Sequence, residues 1–323
     1  MKLCIIGGTG FIGYHTVHEC LRRGHYITVL ALPSSFYHCS LPENVRTIRA
    51  DLHALSDERL GLILQEHDGF IFSAGADDRI LPRAPAYPFF ERYNVLPSVR
   101  LVRLASEKGL KRGVILGSYF AHFHKYWPDK EIAKHHPYIR SRVEQEKQAL
   151  AAVSGNLSLA IIELPYIFGA MPGRIPLWAP LIRYLRAPVP LFYTRGGSNM
   201  IAVQHAAEAV AGAVENTLKS EIYLVGDENI GWEDFLKRLC GFIGINKKIR
   251  IISNRALKRI MKMISLSHKW MGREAGLSPV HFVEIQTAET YFDPEPSRKK
   301  LHYGRGGLDE AFRDTVRACL GKS

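Results

Sequence analysis

Long apolar runs are missing from this 323-residue sequence. No stretch approaches the roughly 20 residues that cross a bilayer as a helix. Lys2 is followed by apolar residues, but glycines interrupt that run at once and no small-residue cleavage site follows, so a secretory signal is not expected. The expectation is a soluble, cytoplasmic protein with no membrane partner. Cysteine is scarce and scattered. Cys4, Cys20, Cys39, Cys240 and Cys319 form no C-x-x-C pair and no Cys/His spacing that suits zinc. Reduced, mostly buried thiols and no metal are expected. Acid is also short: 31 Asp and Glu against 43 Lys and Arg leave a net charge of +12. That excess favours anionic ligands such as nucleotides. Local clusters occur at Arg255, Lys258, Arg259 and Lys262, and at Arg298-Lys299-Lys300. Both read as solvated helix faces, with an RNA or membrane patch as the lesser alternative, so nucleic acid is not an expected partner.

The most informative segment lies at the start. Leu3 to Ile6 reads as a buried strand, and Phe11, Ile12, Val17 and Leu21 recur as on a helix. Between them, Gly8-Thr9-Gly10-Phe11-Ile12-Gly13 fits G-x-G-x-x-G. Glycine lets the chain turn tightly and bring backbone N–H groups against a pyrophosphate, and a helix N-terminus adds partial positive charge. The motif alone is weak; between a first strand and a first helix it is strong.

The first half then alternates. Strand-like segments lie at 3–6, 27–32, 45–49, 70–74, 113–116 and 159–164, and amphipathic helical ones at 13–23, 56–65, 89–108 and 137–153. This is βαβ logic, and it predicts an α/β fold, a doubly wound parallel sheet of the Rossmann type. After Pro165 the texture changes to prolines and aromatics, where helices would be short. A strand at 200–203 and a helix at 205–216 would return to the sheet. The expected division is a dinucleotide-binding unit over 1–169 and 200–220, and a smaller α+β substrate-binding region over 170–199 and 221–323.

Several motifs stand in a familiar order: Gly7, Gly10 and Gly13; Asp51-Leu52; Phe70 through Gly75; Asn94; and Pro165-Tyr166-Ile167-Phe168-Gly169. With them the chain resembles the extended short-chain dehydrogenase/reductase superfamily, of the NAD-dependent epimerase/dehydratase type. The resemblance implies a cofactor held by Gly7, Gly10, Phe11, Ile12, Gly13, Asp51, Leu52, Ala74, Gly75, Asn94 and Pro165. It also implies a Ser/Thr, Tyr and Lys triad, the last two as Y-x-x-x-K. Residues four apart share a helix face. The tyrosine would handle the substrate proton, and the lysine would lower the tyrosine pKa and hold the nicotinamide ribose.

Here the match is Tyr138-Ile139-Arg140-Ser141-Arg142, with arginine where the lysine belongs. Guanidinium keeps its charge but gives up no proton at ordinary pH. Tyr138 is the candidate acid/base, and Arg142 the substituted electrostatic and ribose partner. Ser118 follows the fifth strand-like segment and matches the Ser/Thr. A one-residue slip would put Tyr119 there instead, leaving Ser118 to bind cofactor. His122, His124, His135 and His136 fit no metal spacing and read as surface or substrate-loop histidines.

The second strand-like segment ends Val29-Leu30-Ala31-Leu32-Pro33-Ser34-Ser35. Ala31 stands where an NAD-selecting Asp is expected, and Leu32 where an NADP-selecting Arg is expected. Without the acid nothing repels a 2′-phosphate, and Ser34 and Ser35 could bind it, so NADP is favoured over NAD. The substrate side would draw on Asp77, Asp78, Arg79, Tyr119, Tyr166, Arg174 and Trp178, with Arg174 able to pair with a phosphate or carboxylate. His205 stands where relatives often have a helix-capping Asp.

Two functions follow. One is an NAD(P)-dependent oxidoreductase or epimerase acting on a small molecule, with Tyr138 as acid/base. The other is a weakly catalytic or non-catalytic nucleotide-binding protein with a regulatory, structural or RNA-associated role. By the resemblance, the segments 89–108 and 137–153 would form the contact of a homodimer.

Overall fold

A computed structural model of the chain describes residues 1–37 and 40–321. In order, the elements are β1 (Lys2–Ile6), α1 (Phe11–Arg22), β2 (Tyr26–Ala31), β3 (Arg46–Arg49), α2 (Asp57–Leu64), β4 (Gly69–Phe72), α3 (Tyr87–Phe90), α4 (Leu96–Glu107), β5 (Arg112–Ser118), α5 (Tyr119–Tyr126), α6 (Ile132–His135), α7 (Pro137–Ala151) and β6 (Ser158–Leu164). Then come β7 (Tyr166–Phe168), α8 (Ala179–Arg186), β8 (Leu191–Tyr193), β9 (Gly197–Ala202), α9 (Val203–Asn216), β10 (Glu221–Leu224), β11 (Glu228–Gly231) and α10 (Trp232–Ile243). The chain ends with β12 (Ile249–Ile251), α11 (Asn254–Trp270), α12 (Pro279–Gln286), β13 (Glu289–Thr290), α13 (Glu295–Leu301) and α14 (Leu308–Cys319).

Among the described residues, seven strands form one sheet in the order β10-β6-β5-β4-β1-β2-β3, with every pair parallel. Strand alternation sorts β1 onto two cores. Leu3 and Ile5 pack with Val17 of α1 and Val210 of α9, whereas Cys4 and Ile6 pack with Leu60 of α2 and Leu101 of α4. Helices therefore cover both faces, as a parallel sheet requires. This is the Rossmann-type α/β fold. Strand order reverses between β1 and β4, which opens a crevice at their carboxyl ends.

The strand-like segments fall close to observed strands, with three differences. The expected strand near 200 runs from Gly197 to Ala202 and does not join the main sheet; it pairs with β7, β11 and β13 in a second sheet. Its helix, α9, does return and packs on α1 and the main sheet. The seventh strand of the main sheet, β10, lies beyond residue 220, in the stretch assigned from sequence to the substrate region. The helical stretch 89–108 is continuous but not uniform: α3 passes through a π-helical turn, Glu91–Val95, into α4.

A third core lies under the second sheet, where Phe168, Trp232, Phe235 and Phe312 are buried together. Cys4, Cys20 and Cys240 are buried free thiols and Cys319 is half-buried; Cys39 lies outside the described residues. Burial pushes the Cys4 and Cys20 thiols up to about 12, so neither is a thiolate at neutral pH. In the basic cluster read as a solvated face, Lys299 and Lys300 are exposed, and Arg298 is the exception. Arg298 is buried and donates to the Gly226 carbonyl at 2.9 Å, with Asp227 3.5 Å away. His205 has its acid supplied from elsewhere: Asp227 accepts from the Ala202 N–H at 2.9 Å and bonds the His205 ring at 2.8 Å. Burial opposes charge on that ring, but Asp227 outweighs it and raises its pKa.

Candidate active site

A cleft of about 630 Å³ opens at the carboxyl ends of the parallel strands. Its floor is the turn between β1 and α1. Gly7 holds φ at +84°, and a Cβ there would lie 2.8 Å from the Ala74 nitrogen. At Gly13 a Cβ would lie 2.2 Å from the Gly7 carbonyl oxygen and 2.7 Å from Ser73 Oγ. Gly10 precedes α1 and has no side chain to cap it, so the helix N-terminus meets the cleft through backbone N–H groups. Turn, bare helix end and close strand approach together fit a dinucleotide pyrophosphate.

Of the residues singled out from sequence, Gly7, Gly10, Phe11, Ile12, Ser35, Asp51, Leu52, Ala74, Gly75 and Pro165 line the cleft. So do Asp77, Ser118, Tyr119, Tyr138, Arg142, Tyr166, Arg174 and Trp178. Gly13, Ser34 and Asn94 do not. Gly13 sits behind the turn. Ser34 is exposed in the 3₁₀ turn Pro33–Tyr37. Asn94 is fully buried in the π turn, accepts from the Ala76 N–H at 2.7 Å and donates to Ser141 Oγ at 3.1 Å. It ties the loop after β4 to α7. Ser35 reaches the cleft, but its hydroxyl is engaged: it accepts from Thr9 at 2.7 Å and donates to the Leu32 carbonyl at 2.6 Å. That leaves no hydroxyl proton for a phosphate.

Helix α7 carries Tyr138 and Arg142 on one face. The Arg142 guanidinium lies 5.1 Å from the Tyr138 ring centroid. It is buried and held by Gln145 Oε1 at 2.9 Å and by the Leu116 and Ala76 carbonyls at 3.4 and 3.5 Å. Its Nε–H has no partner among the described residues. Burial raises the Tyr138 pKa; Arg142 opposes the rise and Asp78 adds to it. Ser118 ends β5 and begins α5, where its oxygen accepts a long 3.4 Å bond from the Phe120 N–H. Its own proton remains available for an oxygen in the cleft. Tyr119 points elsewhere: its hydroxyl accepts from Ser198 of β9 at 3.2 Å, and burial pushes it up to about 12.

The loop after β4 adds a group that sequence reading placed in the cleft without a role. Asp78 is pushed up to about 7, first by burial and then by the neighbouring Asp77 charge, with Arg79 opposing. Its charge bears on Tyr119, Tyr138 and Tyr166 alike. Composition gives no sign of this, because the largest cause of the shift is burial, which the neighbouring Asp77 only reinforces.

The outer wall is apolar and aromatic. Trp178 packs on Phe168 at 4.3 Å and donates its N–H to the Ile167 carbonyl at 3.0 Å. Met171 and Leu177 stand beside it, and Arg174 is exposed at the rim. The four histidines near the fifth strand separate. His135 stacks on His281 at 4.0 Å, and His122 stacks on Tyr126 at 5.8 Å. Among the described residues no group of three or more His, Cys, Asp or Glu is placed to hold a metal ion.

The model of the NAD dependent epimerase/dehydratase family matches residues 3–226. A putative dihydroflavonol 4-reductase of Synechocystis sp. is 23% identical, over 97% of this chain and 92% of that one. The crystal structure of gox2253 superposes with a TM-score of 0.79 at 20% identity, covering 99% and 98% of the two chains. UDP-glucuronic acid 4-epimerase from Bacillus cereus, in complex with NAD, superposes with a TM-score of 0.73 at 12% identity, covering 99% of each. At these identities the structural likenesses establish the fold.

Proposed function

The chain belongs to the NAD-dependent epimerase/dehydratase family, and from that premise we propose that it is an NAD(P)-dependent oxidoreductase that works on a carbonyl or alcohol carbon of a small molecule. The observation that carries this reading is the meeting of Ser118, Tyr138 and Arg142 in the cleft beside the glycine turn. A bound dinucleotide supplies hydride chemistry at its nicotinamide ring. Tyr138 gives or takes the proton at the substrate oxygen, and Ser118 donates a hydrogen bond to that oxygen. Arg142 favours the tyrosinate by its charge without exchanging a proton. Gly7, Gly10, Phe11 and Ile12 hold the pyrophosphate, Asp51 and Leu52 border the adenine, and Asn94 positions the loop that carries Gly75.

The family also includes epimerases, and both outcomes start from the same hydride step. Met171, Leu177 and Trp178 favour a substrate with an apolar or aromatic body, and Arg174 could meet an anionic group at the rim. Neither Ala31 nor Leu32 offers a carboxylate to the ribose, which supports NADP; the engaged Ser35 hydroxyl weakens that preference. The cofactor lies on the main sheet, and 170–199 with the C-terminal part completes the substrate side. A cytoplasmic homodimer is part of the same proposal.

The test is titration with NADH and NADPH, read by nicotinamide fluorescence, followed by a screen of aromatic ketones and aldehydes. Saturable binding of one cofactor is expected. Tyr138→Phe should bind it equally and lose on the order of 10² to 10⁴ in turnover. Binding of neither cofactor overturns the reading. Binding without turnover would support a second one, a cofactor-binding protein with little catalysis. The three protein acceptors that already hold Arg142 favour that alternative.

A further inference from the structure

The positive charge of this protein is concentrated in one stretch. From residue 235 to 273 there are eleven Lys and Arg and no Asp or Glu, against a whole-chain excess of twelve. The centre of that stretch is α11. Ser253 caps it, accepting from the Ala256 N–H at 3.3 Å. The helix lies against α12 and buries none of its residues fully. Ile260, Met263, Leu266 and Trp270 share its outer side at 45, 73, 67 and 94% exposure. By helical spacing Arg255, Lys262 and Lys269 run along one edge of that apolar side, and Arg259 lies within it. Among the described residues Lys258 has an acidic partner, Glu284 at 2.8 Å, and those four cations have none within ion-pair distance. In the β8–β12 pair that precedes the helix in the chain, Phe192 and Ile251 are also exposed, and the Arg250 guanidinium lies 5.9 Å from the Phe192 ring.

Large apolar side chains in one exposed line mark an interaction surface. The charge decides between occupants. A second copy meeting this face symmetrically would bring Arg255, Arg259, Lys262 and Lys269 against the same four cations. A nucleic acid would use the cations but leave Met263, Leu266 and Trp270 in water. A bilayer with anionic headgroups uses both halves: apolar side chains enter the acyl boundary, tryptophan sits at the interface, and cations meet the phosphates.

We propose that α11 docks this protein on an anionic lipid surface, its axis in the interface plane. This is peripheral attachment, and it revises the expectation that the basic cluster is a solvated face. The docked helix is tied to the cleft. Just beyond it, the Gly272 carbonyl accepts from the Ala84 N–H at 3.0 Å, the Glu274 N–H donates to the Pro82 carbonyl at 3.1 Å, and Arg273 donates to the Leu81 carbonyl at 2.6 Å. That loop follows directly on Asp77, Asp78 and Arg79 of the cleft lining. Docking therefore holds the cleft rim beside the bilayer, where an apolar substrate would be concentrated.

The experiment is flotation of the full chain with vesicles of phosphatidylcholine alone and of phosphatidylcholine with phosphatidylglycerol, alongside tryptophan emission. Flotation and a blue shift are expected with the anionic vesicles and not the neutral ones. The double variant Met263→Asp/Trp270→Asp should reduce partitioning on the order of ten-fold or more, and Lys262→Glu/Lys269→Glu should do likewise. All four positions are exposed, so thermal unfolding should be unchanged. Absence of flotation by the unmodified chain overturns the proposal. So does tight RNA binding that the charge variant loses and the apolar variant keeps. A dimer that the apolar variant dissociates, with no flotation, overturns it in favour of a second copy. Cofactor titration reads separately, because none of these four residues lines the cleft.

Discussion

At the scale of single residues, the departure at Arg142 is the main question. A buried guanidinium with three protein acceptors is both a charge near Tyr138 and a brace between α7, β5 and the loop after β4. Lysine would supply the charge but only part of the brace. Arg142→Lys should therefore keep the fold, lose about 1–2 kcal/mol from acceptors left unpaired, and keep or raise turnover. Thermal unfolding and steady-state kinetics of one preparation check both halves. Complete loss of activity with intact folding would show that arginine itself is required. Asp78 acts on the same tyrosine with the opposite sign. Its carboxyl titrates at about 7, and once charged it disfavours tyrosinate at Tyr138. Asp78→Asn should move the Tyr138-dependent limb of the pH profile of kcat/KM to lower pH. An unmoved limb would mean that the Asp78 charge does not reach the reacting hydroxyl.

At the scale of elements, the β1–turn–α1 unit was the most legible part of the chain. Its glycines are required by contacts that a motif reader can anticipate. Gly13→Ala puts a methyl 2.2 Å from the Gly7 carbonyl oxygen, where the neighbour is backbone and cannot swing away. Moving α1 off the turn should cost about 1–3 kcal/mol and weaken cofactor binding on the order of ten-fold. Gly24→Ala is the control. It has φ of +81° and nothing within 4 Å, so it should cost about 1–2 kcal/mol of backbone strain and leave binding unchanged. Equal effects of the two on binding would refute the packing argument. Six of the strands were readable: five are apolar runs beside an amphipathic helix, and β3, Arg46-Thr47-Ile48-Arg49, follows from its place in the alternation. The seventh, β10, was not: Glu221-Ile222-Tyr223-Leu224 is a short edge strand whose partner, β6, is far away in sequence. The swap of acid between positions 205 and 227 was hidden for the same reason. So was the role of Asn94, since a π turn is invisible to helical periodicity.

At the scale of the whole molecule, two buried groups should shape stability against pH. His136 joins α7 to the C-terminal part by accepting from the Ser278 N–H at 2.9 Å. Burial, then the neighbouring His281 and His135, lower its pKa from 6.5 to about 3. The folded ring stays neutral while the unfolded one takes a proton, so its contribution is present above pH 6.5 and is lost as pH falls toward 3. Glu163 of β6 has the opposite sign. Burial, then the Glu146 charge, raise it from 4.5 to about 9, with Lys125 opposing. Its Oε1 and that of Glu146 both lack a donor, which a proton kept on Glu163 and shared with Glu146 supplies. That contribution is present below pH 4.5 and is lost as pH rises toward 9. The two slopes oppose each other between 4.5 and 6.5, where Asp78, raised from 3.8 to about 7, adds a decline of its own; above about 7 the decline from Glu163 remains. The expected profile is a fall that begins on the acid side of neutrality and approaches about 1.4 kcal/mol per pH unit above it, where Glu163 is left. Glu163→Gln keeps a donor toward Glu146 and removes the titration. It should match the unmodified protein near pH 5 and unfold at a higher temperature than it near pH 8.5, by melting in matched buffers. An unmodified protein whose stability keeps rising through that range would show that Glu163 is ionised in the fold.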